Sequence, residues 1–121
     1  MNSRTHLTAN TDANDFLPRA QALLTQLETL LEQTFDALGV DVDLVRNGGV
    51  LNVNLAGKVQ QGKTVVINLQ SPMQQVWLAT PFGGFHYAWD GSAWADTRGG
   101  MALNERLSQD LSAMTGQIIT V

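Results

Sequence analysis

Five carboxylates crowd one part of the chain: Glu28, Glu32, Asp36, Asp41 and Asp43 fall between Ala20 and Val45, a stretch without Lys or Arg. The stretch carries −5 and leaves +1 for the rest of a chain whose formal charge is −4. Carboxylate oxygens suit hard cations, and an acidic surface equally suits a basic protein partner. Glu28, Glu32 and Asp36 recur every four residues, so on a helix they line one strip. At about 100° per residue that strip borders the apolar side of the helix instead of opposing it. Asp41 and Asp43 follow closely enough to reach the same edge. Like charges at this spacing cost a helix roughly 0.2–0.5 kcal/mol per pair. A charge row is by default a solvated helix face. Any metal held here would bind weakly and at the surface, since neither thiolate nor clustered histidine is at hand.

A different chemistry attaches to Asn52, Asn54, Asn68, Gln70, Gln75, Trp77 and His86. Each alternates with an apolar residue in a short run, as in a strand with one buried face. If Leu51, Val53, Val65, Ile67, Val76, Leu78, Phe85 and Tyr87 turn inward, these seven turn to solvent. A tryptophan left there forgoes burial of a large apolar surface. Ringed by Asn and Gln on a rigid sheet, Trp77 is the kind of anchor that protein interfaces use. The plain alternative is a Trp77 covered by a loop or packed at a sheet edge. His86, as a lone histidine, is by default a surface residue; its place beside Trp77 points to an interface and not to catalysis.

Several classes are excluded. There is no cysteine, hence no disulfide, thiolate metal site, cysteine nucleophile or cysteine-ligated cluster. No GxSxG elbow, GxxxxGK[ST] loop or HExxH pair occurs, so the chain is not expected to be an enzyme. A di-iron oxidase is disfavoured too, because no Glu-x-x-His pair exists. Nucleic acid needs clustered Lys and Arg, which are missing. No apolar run approaches the roughly 20 residues of a membrane span, and the start has no apolar stretch like a signal peptide's. A soluble bacterial cytoplasmic protein is the expectation.

The elements that must position these residues follow from periodicity. Residues 1–12 are polar and expected to be disordered, residues 13–116 to form one domain, and 117–121 an apolar tail lying back on the helices. From Asp15, the residues Phe16, Ala20, Leu23, Leu24, Leu27, Leu31 and Leu38 recur at helical spacing. Asn14 or Asp15 would cap this helix, Pro18 would sit in its first turn, and Gly39 would end it. It should span about 24 residues, or about 36 Å. Alternating runs then follow between tight turns. They begin with Asp41 to Val45 and Val50 to Leu55, joined at Asn47-Gly48-Gly49. Lys63 to Gln70, Gln75 to Ala79, Phe85 to Trp89 and a short piece around Trp94 come after. Asp96 and Arg98 could pair to stabilise a turn. A second amphipathic helix runs from about Met101 to Met114. Short turns make antiparallel neighbours, and terminal helices bury their stripes only by covering one sheet face. The fold class is α+β: a two-layer sandwich of two helices on a five- to six-stranded antiparallel sheet.

The runs Asn47-Gly48-Gly49-Val50-Leu51, Val66-Ile67-Asn68-Leu69-Gln70-Ser71-Pro72 and Gln75-Val76-Trp77-Leu78-Ala79 resemble the frataxin family. Gly83-Gly84-Phe85-His86-Tyr87 and Trp94-Ala95-Asp96-Thr97-Arg98-Gly99-Gly100 continue the resemblance, in the bacterial CyaY style, over roughly residues 15–114. It implies a frataxin-like fold and a role in iron–sulfur cluster assembly. Ferrous or ferric iron would bind weakly at Glu28, Glu32, Asp36, Asp41 and Asp43. A cysteine desulfurase and its scaffold protein would dock on Asn68, Gln70, Gln75, Trp77 and His86. The family's acidic ridge is usually denser: Gln33, Thr34 and Ala37 stand where more carboxylates would be expected, which argues against tight storage of many irons. A monomer that iron could drive to oligomerise is expected. The competing expectation is a metal-independent module whose acidic edge meets a basic partner surface.

Overall fold

In a computed structural model, which describes residues 11–55 and 64–121, a long helix, a six-stranded sheet and a second helix follow in chain order. Helix α1 spans Thr11–Leu38 and is longer than the periodicity predicts. Its start lies before Asn14 and Asp15, the expected caps, so Pro18 falls inside the helix and not in its first turn. Capping types are local signals, whereas Phe16 and Ala20, on either side of the proline, are both buried in the core. Tertiary packing of that face outweighs the local break. Phe35 belongs to the buried stripe, and Leu38, the last helical residue, is 40% exposed. Gly39 stops the helix as expected. Its N–H donates to Asp36 O and that of Val40 to Phe35 O, the double bond of a Schellman end, with Gly39 at φ 67°. Residues 1–10, most of the segment expected to be disordered, lie outside the described residues, as does the turn before Lys63.

The strands are β1 (Val42–Asn47), β2 (Val50–Leu55), β3 (Thr64–Gln70), β4 (Gln75–Thr80), β5 (Gly83–Trp89) and β6 (Trp94–Asp96). They pair antiparallel in the order β1-β2-β3-β4-β5-β6, so chain order and sheet order coincide. The first hairpin joins Asn47 to Val50 across Gly48, whose φ of 58° a side chain would disfavour. A single turn of 3-10 helix, Ser71–Met73, separates β3 from β4. It ends at Gln74, the one non-glycine with positive φ (53°) among the described residues. Between β5 and β6, Asp90 accepts from the N–H groups of Ser92 and Ala93 at 2.8 Å each, which holds its carboxyl below the usual carboxylate range.

Helix α2 spans Leu103–Thr115 and shares the inner face of the sheet with α1. Leu51, Val53, Val65, Ile67, Val76, Leu78 and Tyr87 point into the core, each at most 1% exposed, as alternation predicts. Phe16 meets Trp94 edge-on at 6.0 Å, and the Arg19 guanidinium lies 4.6 Å from the Trp89 ring centre. The first turns of α1 therefore sit over β5 and β6. Asp110, a carboxylate inside the α2 stripe at 2% exposure, anchors the other helix. It accepts from Thr80 Oγ1 at 2.7 Å and pairs with Arg106 at 3.5 Å, while Arg106 lies over Phe85. The tail folds back on α2 as expected: Ser112 Oγ accepts from Ile119 N–H and Ser108 Oγ from Val121 N–H, and Ile119 is buried.

Candidate functional site

Two surfaces carry the residues singled out by chemistry. The first is the β1 edge. The Schellman turn brings the chain back at once, so Glu32 and Asp36 of α1 and Asp41 before β1 line one shallow hollow of about 200 Å³ with Phe35, Val40 and Val42. The other two acids part from this group. Glu28 sits 3.6 Å from the guanidinium of Arg46, which also donates to Thr25 Oγ1 at 3.0 Å and Gln21 Oε1 at 2.8 Å. The acidic row, drawn from a stretch without Lys or Arg, thus gains a counter-charge from the strand, at the first position beyond that stretch. Asp43 alternates with Val42 and Leu44, which pack against the core, and so lies on the opposite face of β1, paired in register with Asn54. Among the described residues no three His, Cys, Asp or Glu side chains converge as a metal site. What remains is an open set of oxygen donors on solvent-exposed side chains.

The second surface is the open sheet face. Register places Asn47, Val50, Asn68, Trp77 and His86 in one row across β1 to β5, with Gln70, Gln75 and Ala88 in the next row. Trp77 is not the freely exposed ring expected from alternation. It is half-buried on a central strand, and the His86 ring stacks on it at 4.3 Å with 9° between the planes. Its Nε1–H donates to Gln75 Oε1 at 2.8 Å. The indole is thereby held by two neighbouring side chains, and binding it costs little further side-chain ordering. Asn68, Gln70, Gln75 and His86 are likewise partly buried. Beside this row, Val45, Val66 and Ala79 supply an apolar lane, interrupted by Asn52.

The expected Asp96–Arg98 ion pair is absent among the described residues: Asp96 Oδ1 accepts the backbone N–H of Arg98 at 2.7 Å instead. Behind the face, Tyr87 is fully buried and its hydroxyl donates weakly to Met101 O at 3.4 Å. Burial first, then the Asp96 charge, pushes its pKa from 10.0 up to about 12. Sequence reasoning missed Arg46, Asp110 and the Arg98 guanidinium, which has no ion pair among the described residues. Only Asp110 carried a local signal, the i,i+4 spacing from Arg106.

A Frataxin-like domain model matches residues 9–117. A protein of Cupriavidus metallidurans is 39% identical over 108 residues, covering 89% of this chain and 94% of that one. One of Variovorax paradoxus is 36% identical over 104 residues, covering 86% and 91%. Both bear the name iron-sulfur cluster assembly protein CyaY. The solved frataxin of Psychromonas ingrahamii superposes with a TM-score of 0.67 at 29% identity, over 89% of this chain and 95% of that one. Yeast frataxin, at 22% identity, shares the fold with a TM-score of 0.68 over 94% and 93% of the chains. With the family model spanning nearly the whole chain, and with the same two helices on the same meander, this chain belongs to the frataxin family, among the bacterial CyaY proteins.

Proposed function

We propose that the chain is a non-catalytic component of iron–sulfur cluster assembly in the bacterial cytoplasm. It docks on a cysteine desulfurase and its scaffold protein through Asn68, Gln70, Gln75, Trp77 and His86, and modulates cluster synthesis. The relatives' shared name supports the process. The observation that carries the docking is Trp77, fixed on the open sheet face by the His86 stack and the Gln75 hydrogen bond. A pre-ordered aromatic on a flat polar surface is the form that interface anchors take. No described helix is long and apolar enough to span a bilayer.

Iron enters as cargo. Glu32, Asp36 and Asp41 are the carboxylates nearest to sharing a hollow, and hard oxygen donors suit it. Glu28 would join only by leaving Arg46, and Asp43 only from the other face, so occupancy is weak and the protein stays a monomer until iron is abundant. A ferrous titration followed by NMR tests this: Glu32, Asp36 and Asp41 should broaden first, Glu28 and Asp43 later. Broadening that begins at other carboxylates would refute the assignment. A desulfurase assay at varied iron, with and without the protein, tests modulation. Docking that persists under chelation and is lost in Glu32→Lys or Asp36→Lys would make the acidic edge a metal-independent contact.

A further inference from the structure

Strand β5 runs on past its neighbour. Strand β6 covers only Tyr87, Ala88 and Trp89, which leaves Gly83, Gly84 and Phe85 with an open backbone edge on that side. Thr97 N–H donates to the His86 carbonyl at 2.9 Å, so the backbone groups of His86 point toward this edge. Two-residue alternation sends the Gly84 N–H the same way. It opens on a hollow of about 170 Å³ lined by Gly84, Phe85, His86, Asp96 and Arg98.

Two basic side chains meet there without protein partners. Among the described arginines, Arg19 pairs with Asp15, Arg46 with Glu28 and Arg106 with Asp110; the Arg98 guanidinium has no such bond among the described residues. Asp96 makes no ion pair with it among the described residues. Asp96 Oδ1 is taken by the Arg98 N–H, and Oδ2 lies so close to Gly100 that a Cβ there would stand 2.7 Å from it. The ring nitrogens of His86 have no hydrogen-bond partner among the described residues either, although its ring is fixed by the stack on Trp77.

We propose that this hollow receives one carboxylate side chain from the protein that covers the Trp77 face. Arg98, His86 and the Gly84 N–H supply the donors. This rests on the docking reading above. A planar guanidinium matches a carboxylate in two-point fashion. The hollow is smaller than the roughly 300–1,000 Å³ of small-molecule sites, which fits a single side chain and not a nucleotide. Asp96 remains on its wall and repels a phosphate dianion more than a carboxylate monoanion. The protein then offers its partner both signs of charge, acidic at the β1 edge and basic beside β5, and so admits one orientation.

The first test uses the isolated protein and NMR. A blocked tripeptide with one central Glu, at millimolar concentration, should shift the Gly84, His86 and Arg98 amides and the Trp77 indole N–H. Its Gln counterpart should not. Arg98→Gln should weaken the Glu peptide about tenfold, the size of one charge-assisted hydrogen bond, and Arg98→Lys should restore part of it. Equal shifts from the Gln peptide, tighter binding of inorganic phosphate, or no effect of Arg98→Gln would each overturn the hollow. The second test measures affinity for the desulfurase–scaffold complex. Docking lost in Trp77→Ala and weakened about tenfold in Arg98→Gln supports the proposal. Docking lost in Trp77→Ala but unchanged in Arg98→Gln overturns the hollow alone. Docking intact in Trp77→Ala overturns the face itself.

Discussion

The β1 edge and the Trp77 face lie on one sheet and differ in how their side chains are held. At the edge, Glu32, Asp36, Asp41 and Asp43 are exposed, and the acid that is held, Glu28, is held by Arg46 and withdrawn from the row. On the face, Asn68, Gln70, Gln75, Trp77 and His86 are all partly buried, and the central ring is fixed by a stack and a hydrogen bond. Charge gathered by helical spacing stays loose, because α1 turns those carboxylates toward water. Polar groups gathered by strand register are pre-ordered, because each has a neighbour about 5 Å away on the next strand. Long-range attraction belongs to the first region and shape-specific contact to the second.

The most decisive way to break this contrast is Trp77→Ala. Truncating a central aromatic anchor should cost docking about 2–4 kcal/mol. Isothermal titration against the assembly complex measures it, and a loss no larger than that of Asp36→Ala would erase the distinction.

An effect of about 1–2 kcal/mol, after allowance for solvent screening, is expected from alkaline pH. The Tyr87 hydroxyl, normally ionised from pH 10.0, keeps its proton to about 12 in the folded protein. Its contribution is complete below pH 10.0 and is lost as pH rises toward 12, where the unfolded chain releases the proton first. Urea denaturation across that range should show falling stability in the wild type. Tyr87→Phe should flatten the slope, and an unchanged slope would mean another group is responsible.

Smaller still is Arg46→Ala, which removes its hydrogen bonds to Thr25 and Gln21 and frees Glu28. Stability should fall by about 1 kcal/mol, while ferrous iron should bind the edge a few-fold more tightly. Unaltered iron affinity would show that Glu28 plays no part there. Gln74→Gly, which relieves a positive φ beside the face, should raise stability by up to about 1 kcal/mol without touching the edge; a thermal melt decides.

Most of the sheet was legible in the chain because one-face burial is a period-two signal: Leu51 and Val53, Val65 and Ile67, Val76 and Leu78 all turned inward as read. The helix end at Gly39 was legible for the same local reason, since glycine is what that turn requires. The helix start was not, because Asn14, Asp15 and Pro18 are local signals and the packing of Phe16 on Trp94 is not local. At the acidic edge, spacing brought out the carboxylates but not Arg46, which reaches α1 from the end of β1. The Trp77–His86 stack likewise exists only once β4 and β5 are in register. Residue types marked both surfaces, and only tertiary pairing set which one is rigid.

The coincidence of chain order and sheet order bears on how the molecule assembles. Each strand pairs with its predecessor, so the meander can zip hairpin by hairpin with short loop closures. The span from Phe16 to Trp94 is different, because it closes helix α1 and all the strands between into one long ring. Helix α1 is therefore expected to settle after the hairpins have formed. Phe16→Leu should mainly quicken unfolding, whereas loosening the Gly48 hairpin should slow refolding; chevron plots with both limbs changed equally by Phe16→Leu would reverse that order.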